Sequence, residues 1–344
     1  MHFKNTIYLL ATSSLLITSS VTAQQTPLQA CVMSTFNSGD ENLTLKELRQ
    51  LCNKDILLKA KFDEISVSKN KNVNLGAISR RILTEKETEF EPYVITPHRI
   101  NYILPAYSSN AVNTKPYQSF DEYPENLSDI ETHFQLSLKV PLNHESLFID
   151  GDGLYLGFTL QAWWQIYASN ISKPFRETNY QPEMFYLAPL TLHPFDGNTG
   201  FMLGVEHQSN GKSQGLSRSW NRAYLAFLFE KNNFALSFKP WYRFSEKEKE
   251  FPLDPNGDDN PDISDYMGHF ELAMVYKWDD VELSFTGRQN FSKNKGAAQF
   301  GITFPLWGKL RGYATAFSGY GDSLIDYNYS QTRFGIGVAL SNIL

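Results

Sequence analysis

Alternation of apolar and polar residues runs through most of the chain after about residue 90. Successive side chains of a strand point to opposite faces of a sheet, so a period of two residues predicts β-strands. The alternation is cleanest at 134–140 and again at 334–340, near the end of the sequence. The pattern predicts strands at 94–107, 134–140, 154–167, 184–192, 200–209, 219–230, 234–244, 266–278, 281–291, 297–306, 310–320 and 331–341.

The connections between these strands fall into two classes of length. Short turns and longer polar loops alternate: the turns are 230–233, 279–280 and 307–309, and the loops are 168–180, 245–264 and 321–330. This alternation is typical of outer-membrane barrels, and the strands have the ~9–11 residues that a tilted membrane crossing needs. We therefore predict an all-β protein, a transmembrane β-barrel with Trp163 and Trp164 in its interfacial aromatic girdle. A soluble β-sandwich is the alternative.

The first 89 residues lack the strand pattern. Residues 1–23 have the features of a secretory signal peptide: Lys4, an apolar stretch and a small-residue cleavage site. Residues 24–89 are expected to form a short N-terminal periplasmic extension, and 90–344 the barrel. Within the extension, 60–88 are charged and sparsely apolar, which favours a plain tether over a partner-binding arm.

The extension has two local features of its own. The capping-box spacing of Thr44 and Glu47 and the helical spacing of the leucines that follow predict a short helix near 44–53. The two cysteines of the chain, Cys31 and Cys52, are expected to pair as a disulfide in an oxidising compartment.

Charge and hydropathy narrow the partners and the compartment. The formal net charge of −6 argues against nucleic acid as a partner. After the signal peptide, no segment approaches the ~20 consecutive apolar residues of a membrane-spanning helix. An exported chain of this kind is either soluble or crosses the outer membrane as a closed barrel, which satisfies its own backbone in lipid.

Three polar side chains interrupt two strand faces that are otherwise apolar. His207 and Ser209 share a face with Val205, and Asn221 shares a face with the apolar residues that follow it. In a barrel the apolar face points to lipid, so all three side chains are expected outside, at the end of the strands toward the outer leaflet. His207 and Asn221 are symmetric about the centre of the loop 210–216, which predicts that they pair across the two strands.

The three residue types suit nucleophilic catalysis. A serine hydroxyl needs a neighbouring base, and His207 lies two residues from Ser209 on the same face. Asn221 can accept a hydrogen bond from the other ring nitrogen and so fix the histidine tautomer. The backbone N–H of Gly211 is a candidate donor to the oxyanion. Polar groups are costly on a lipid-facing surface, which favours function over coincidence.

Two segments at these strand ends, 206–213 and 217–224, resemble the outer membrane phospholipase A family, the detergent-resistant phospholipase of Gram-negative bacteria. Their sequences are Glu-His-Gln-Ser-Asn-Gly-Lys-Ser and Ser-Arg-Ser-Trp-Asn-Arg-Ala-Tyr. Further matching motifs are Ser172–Tyr180, Lys239–Tyr242, Asp258–Ile263 and Ser318–Asn328. The resemblance covers roughly 90–344.

The resemblance implies a twelve-stranded antiparallel barrel in the outer membrane that hydrolyses the sn-1 and sn-2 acyl esters of phospholipids and lysophospholipids. It implies Ser209 as nucleophile, His207 as base and Asn221 as the residue that orients the base. It also implies dependence on Ca²⁺ and activation by homodimer formation. The implied calcium ligands are the Ser217 side chain, the Lys212 carbonyl and the Ser172 carbonyl of the partner subunit.

Two departures from the family pattern bear on these expectations. Arg is frequent in the family where Lys212 stands, an exchange that a carbonyl ligand tolerates. Some members have an outward Gln in the strand before the double Trp, used in dimer contacts, where this chain has Leu160 followed by Gln161. The acidic loop 254–259 is expected to be a solvated outer loop, with a second calcium site as the alternative. A porin-like or structural barrel and a soluble secreted esterase are the competing functions.

Overall fold

The computed structural model describes 75–91, 94–251, 254 and 256–341, together with Thr44, Lys46, Arg49 and Cys52. The chain divides into two compact units, Met1–Val73 and Asn74–Leu344. In the first unit Lys46, Arg49 and Cys52 are helical, and Cys52 is disulfide-bonded. The predicted signal peptide, Cys31 and the rest of the predicted helix lie outside the described residues.

The second unit is a closed antiparallel barrel. A two-residue strand, β1 (Thr96–Pro97), precedes it and pairs with β3. The barrel strands are β2 Tyr102–Ser109, β3 Ile130–Pro141, β4 Gly153–Trp164, β5 Glu177–Leu190, β6 Asn198–Ser209, β7 Ser219–Lys231, β8 Phe234–Phe244, β9 Phe270–Trp278, β10 Val281–Asn290, β11 Lys295–Trp307, β12 Leu310–Tyr320 and β13 Ser330–Ala339.

Each of these strands pairs with its neighbours in the sequence, from β2 to β13. Pairing of β13 with β2, through partners such as Phe334 and Ser108, closes the sheet. The twelve-stranded antiparallel barrel is thus confirmed. Closure pairs the backbone groups that an open sheet would leave at its edges, as a lipid environment requires.

Strand alternation separates an apolar exterior from a polar interior. On β6, Leu203 and Val205 are exposed whereas Glu206 between Val205 and His207 is buried. On the neighbouring strands Glu183 and Arg222 are buried in the same way. These interior charges have polar partners: Arg222 lies 2.7 Å from Glu206 in an ion pair, and His98 Nε2 lies within hydrogen-bond distance of Glu183 Oε1, at 2.8 Å. The core of this unit is therefore a charged and aromatic barrel interior.

The two ends of the barrel differ. The loop end carries the connections 110–129, 165–176, 210–218, 245–269, 291–294 and 321–329. The helix end carries the connections 142–152, 191–197, 232–233, 279–280 and 308–309, together with helix α1 (Ala77–Lys86). Two short helices, α2 (Tyr123–Asn126) and α3 (Ile263–Met267), lie in loops of the loop end. Among the described residues, no helix is long and apolar enough to cross a membrane.

Helix α1 is anchored at its N-terminus by a carboxylate from the barrel wall. Glu230 of β7 accepts hydrogen bonds from the backbone N–H groups of Gly76, at 3.2 Å, and Ser79, at 2.9 Å. These are among the N–H groups that a helix start leaves without partners. A Cβ on Gly76 would lie 2.2 Å from Glu230 Cδ, so a larger residue would displace the Glu230 carboxylate from this position. Along the helix, Ile78 and Ile82 line the barrel interior.

The structure differs from the predicted elements at several places. The predicted strand 94–107 is divided into β1 and β2, because 98–101 belong to neither strand. Helix α1 lies inside the segment 60–88 that we predicted to be a tether. Strand β5 begins at Glu177 instead of 184, because its first inward residues are polar and one outward residue is Pro182, which removes the expected apolar alternation. Tyr266, predicted to begin a strand, belongs to α3.

The placement of Trp163 in an aromatic girdle was wrong. The side chain has no exposed surface and points into the barrel, where its Nε1 donates to Asp322 at 3.0 Å. The indole stacks on His133, with ring centroids 4.4 Å apart. Trp163 has the same parity as Tyr155 and Thr159, which are both buried, so strand alternation turns it inward.

Candidate active site

The hairpin of β6 and β7 brings the three predicted residues to one place at the loop end. His207 is the direct cross-strand partner of Asn221, and Ser209 is the partner of Ser219. The predicted pairing of His207 with Asn221 is confirmed. His207 is exposed, and Ser209 and Asn221 are partly buried. All three lie on the apolar exterior, in line with the strand parity.

His207 and Asn221 form a direct hydrogen bond. His207 Nδ1 lies 2.8 Å from Asn221 Oδ1, and because an amide oxygen only accepts, the imidazole donates from Nδ1. The other ring nitrogen, Nε2, is then the basic one. In the described part of the chain no hydrogen bond joins Ser209 to His207. Such contacts are often long before substrate binds.

The Ser209 hydroxyl has a backbone partner in the following loop. Gly211 N–H donates to Ser209 Oγ over 3.1 Å. Gly211 has a φ of +64°, a left-handed conformation that favours glycine. A Cβ at this position would lie 3.2 Å from the Tyr180 ring. The turn therefore needs glycine, and it directs a backbone donor toward the candidate nucleophile.

Asn210 organises the loop 210–218 and was not identified from the sequence. The side chain is 3% exposed. Its Oδ1 accepts from the backbone N–H groups of Lys212, at 3.3 Å, and Arg218, at 2.9 Å, while its Nδ2 donates to the Leu216 carbonyl at 2.8 Å. These bonds tie both ends of the loop to one buried amide. The Ser–Asn–Gly sequence is the local signal that could have identified it, because an Asn side chain in a turn bonds to the backbone two residues on.

Ser217, a candidate metal ligand, faces the acidic loop. Its Oγ donates to Asp259 Oδ2 over 2.5 Å, and the other oxygen of Asp259 lies 2.5 Å from Lys249 Nζ. The neighbouring Asp258 is bound at both oxygens by Arg243, at 2.7 and 2.6 Å. Of these two acidic residues only Asp259 borders the candidate site, a contact that the sequence did not reveal.

The other two candidate ligands are backbone carbonyls in neighbouring loops. Lys212 N–H is held by Asn210, and its side chain reaches the Arg176 carbonyl and lies 3.6 Å from Glu177. Burial lowers the pKa of the Lys212 amine, an effect that the Glu177 carboxylate partly offsets. The Ser172 carbonyl accepts a hydrogen bond of 2.7 Å from Trp164 Nε1. Both loops are thus fixed close to the strands.

The donor set fits a hard cation. A hydroxyl, two carbonyls and the adjacent Asp259 carboxylate present only oxygen atoms, the ligand type that Ca²⁺ prefers. The described residues contain no group of three or more His, Cys, Asp or Glu side chains arranged to hold a metal ion. A cation at this site would therefore depend on carbonyl and hydroxyl oxygens.

Loop 245–269 braces the candidate site from the side of β8. The fully buried Asn260 accepts the backbone N–H of Ser219 at 3.0 Å. Glu246, in the same loop, accepts a hydrogen bond from Asn221 Nδ2 at 3.0 Å. Sequence reasoning identified neither contact, because each joins residues far apart in the chain.

The amino-acid sequence is similar to those of known phospholipases A1. The model of the phospholipase A1 family matches residues 78–340. The phospholipase A1 of Escherichia coli strain K12 is 39% identical over 272 residues, which are 78% of this chain and 88% of that protein. The phospholipase A1 of Klebsiella pneumoniae is 38% identical over the same shares of the two chains.

Solved structures agree with the sequence matches. The outer membrane phospholipase A of Escherichia coli has a TM-score of 0.69 and 35% identity, covering 76% of this chain and 98% of that one. The Salmonella typhi outer membrane phospholipase, solved as a dimer with bound calcium, has a TM-score of 0.69 and 34% identity over the same shares. These matches show that the chain belongs to the phospholipase A1 family and is an outer-membrane carboxylic ester hydrolase.

Proposed function

We propose that this protein is a calcium-dependent phospholipase that hydrolyses the sn-1 and sn-2 acyl esters of phospholipids and lysophospholipids and is active as a dimer. One observation carries the catalytic assignment: a hydrogen-bonded His207–Asn221 pair lies beside Ser209 on the apolar exterior of the barrel. Ser209 is the nucleophile, His207 the base and Asn221 the residue that orients it. An active-site mutant of the Escherichia coli enzyme with Asn replaced by Ala is consistent with an asparagine in this role.

The reaction follows from the hydrogen bonds of the free protein. His207 donates from Nδ1 to Asn221, so Nε2 is available to take the proton of Ser209 as its Oγ attacks the ester carbonyl. His207 then gives this proton to the departing alcohol, which leaves an acyl-enzyme. A water molecule, deprotonated by the same nitrogen, attacks the acyl carbon and regenerates Ser209.

Gly211 supports the charge that develops during both attacks. Its N–H already points at Ser209 Oγ, 3.1 Å away, and is therefore close to the carbonyl oxygen of a substrate attacked by that atom. Removing one such donor from an acyl-transfer enzyme costs about 10²–10³-fold in kcat. The positive φ of Gly211 holds this donor in position before the substrate binds.

Ca²⁺ binding is proposed at the oxygens of Ser217, Lys212 and Ser172 of the partner subunit. When bound, Ca²⁺ would add positive charge that stabilises the oxyanion together with the Gly211 N–H. The residues of this chain hold the site: Asn210 fixes the Lys212 backbone, and Asp259 lies 2.5 Å from the Ser217 hydroxyl. The relative from Salmonella typhi was solved as a calcium-bound dimer, which supports both parts of the proposal.

The substrate approaches the site sideways, from the bilayer. Leu203 and Val205 lie on the same outward face and are 55% and 46% exposed, so acyl chains can pack directly below His207. The outward face of β4 is also apolar, with Leu156, Phe158 and Leu160. Gln161 instead lines the barrel interior and is not available for an outward dimer contact.

The interior of the barrel supports a porin-like function less well than the exterior supports hydrolysis. The internal cavity has a volume of about 520 Å³, and α1 contributes Ile78 and Ile82 to its walls. Charged side chains such as Arg222, paired with Glu206 on the neighbouring strand, project from the wall into the interior. A pore for solutes needs an open aqueous channel, whereas here side chains of α1 and paired charges from the wall narrow the interior.

The deciding experiment measures acyl release from phospholipid vesicles by refolded protein, with calcium or with chelator. We expect release by the wild type with calcium only, and none above background for Ser209→Ala folded to the same extent. Crosslinking on the same samples should show that active preparations are dimeric. Calcium-independent release, or release retained by Ser209→Ala, would contradict the proposal, as would full turnover by a strict monomer.

A further inference from the structure

Asn221 has a second side-chain partner besides His207. Its Nδ2 donates to Glu246 Oε1 over 3.0 Å, while its Oδ1 accepts from His207 over 2.8 Å. Three side chains therefore form a chain of hydrogen bonds: a carboxylate, an amide and an imidazole. Strand register explains the arrangement, because Asn221 pairs with Phe244 at the end of β8 and Glu246 is the next residue of the same parity.

The carboxylate removes an ambiguity that is inherent in an amide. A side-chain amide can turn over and present either its oxygen or its NH₂ group to a neighbour. If the NH₂ group of Asn221 faced His207, the imidazole would accept at Nδ1 and carry its proton on Nε2. That tautomer cannot take a proton from Ser209. Since an ionised carboxylate only accepts hydrogen bonds, Glu246 requires the NH₂ group on its own side.

The carboxylate also acts on the charge that forms during catalysis. Proton transfer from Ser209 makes the imidazole of His207 positive, and a hydrogen-bonded carboxylate polarises the intervening amide toward that charge. The effect is moderate because Glu246 is exposed and solvent screens it. An Asn in this role is weaker than an Asp, and the carboxylate behind it restores part of the difference.

We propose that Glu246 is a positioning residue for the hydrolytic reaction: it fixes the Asn221 amide and, through it, the reactive tautomer of His207. The inference rests on the proposed function of Ser209, His207 and Asn221. Among the described hydrogen bonds, Glu246 reaches the site through Asn221 and not through Ser209.

Steady-state kinetics of Glu246→Gln and Glu246→Ala provide the first test. A glutamine can also donate, so it no longer requires one orientation of the Asn221 amide. We expect kcat to fall about tenfold with KM changed less than twofold, because the bond acts on the reacting groups and not on the lipid. Glu246→Asp retains an obligatory acceptor and should recover part of the loss.

Glu248→Gln is the matched control, since it removes the same charge from the same exposed loop. It should leave kcat unchanged. The calcium concentration for half-maximal activity should also be equal in wild type and Glu246→Gln, and the loss should persist at saturating calcium. A loss that calcium reverses, or an equal loss in Glu248→Gln, would assign Glu246 to the general charge of the loop and overturn the proposal.

A double-mutant cycle tests whether Glu246 acts through Asn221. In an Asn221→Ala background the Glu246→Gln exchange should have no further effect on kcat. Equal tenfold losses in both backgrounds would overturn the proposal, because they would show an action independent of Asn221. If the wild-type protein showed no Ser209-dependent hydrolysis, the proposed function would be contradicted. The tautomer of His207, which NMR reports without substrate, would still decide the role of Glu246.

Nitrogen NMR of ¹⁵N-histidine protein in micelles reports the tautomer without any substrate. The His207 signals are identified by their loss in His207→Ala. Wild type should show a proton on Nδ1 and none on Nε2 at a pH where the ring is neutral, and Glu246→Gln should show a mixture of the two tautomers. Identical tautomer populations in both proteins would overturn the proposal whatever the kinetics show.

Discussion

The polar residues on the two faces of the β6–β7 hairpin differ in how their side chains are paired. Inside the barrel, Glu206 and Arg222 are paired at 2.7 Å, and Lys239 and Gln181 add contacts to Glu206 at 3.0 and 2.7 Å. Outside, at the next position of the same register, His207 and Asn221 share one hydrogen bond in an apolar surface. The inward charges satisfy each other, whereas the outward set keeps reactive atoms free for substrate.

This difference separates stability from chemistry on one hairpin. Removing an outward residue should cost activity and little stability, because it leaves no charge buried. Removing Arg222 from the inward pair should do the reverse, because it takes from the buried Glu206 carboxylate its nearest cationic partner. An outward substitution that unfolds the barrel would contradict this division between the faces. An inward substitution that leaves stability intact would contradict it as well.

The largest expected effect is that of His207→Ala. Loss of the base should lower kcat/KM by about 10³-fold or more, because Ser209 then has no acceptor for its proton. Urea unfolding in micelles should give the wild-type midpoint. A variant that unfolds at markedly lower urea would show that the exposed imidazole stabilises the hairpin, and the two faces would no longer be distinct.

Arg222→Ala should produce the second largest effect, on stability. Glu206 would stay buried with Lys239, at 3.0 Å, and Arg99, at 4.0 Å, as its remaining cationic partners, and breaking a buried ion pair costs about 3 kcal/mol. Equilibrium unfolding in micelles measures the loss. Val205→Ala, on the outward face of the same hairpin, is the control and should lose less than about 1 kcal/mol. Equal losses would contradict the division between the faces.

The sequence predicted which strand face each residue lies on better than it predicted the contacts between the loops and the hairpin. Period-two alternation predicted a segment that overlaps each of the twelve barrel strands and placed His207 opposite Asn221, because both features are local to a strand or a hairpin. It merged β1 and β2 into one predicted strand, 94–107. It missed 177–183, where inward polar residues and Pro182 interrupt the alternation. It also missed Glu246 and Asp259, which reach the hairpin from the 245–269 loop. Such contacts depend on the closed fold, so no local period encodes them.

The helix end also has a buried carboxylate, and its removal should have a smaller effect on stability. Glu230 of β7 is 3% exposed and accepts from Gly76, Ser79 and Asn198, the last at 2.8 Å. We expect Glu230→Ala to weaken the docking of α1 by about 1–2 kcal/mol, in the range of a lost helix cap. Hydrogen exchange at 77–86 should accelerate while exchange in β6 and β7 stays slow and hydrolysis is unchanged. Unaltered exchange at 77–86 would mean that the helix is held by its apolar face.

The smallest expected effect is a pH dependence of the stability of helix α1. Burial tends to raise the pKa of Glu85, but Arg81, at 2.7 Å, and Lys139, at 2.7 Å, outweigh it and hold that pKa below the ordinary value of 4.5. A carboxyl whose pKa is lower in the folded state stabilises the fold above its unfolded pKa. This contribution is lost as the pH falls through the folded value. Protection of 77–86, corrected for the intrinsic exchange rate, should therefore be constant above about pH 5 and decline below pH 4.5.

Glu85→Gln should abolish that decline, and Glu87→Gln, at an exposed position of the same helix end, should retain it. A decline that is equal in both variants would exclude the Glu85 ion pairs as its cause.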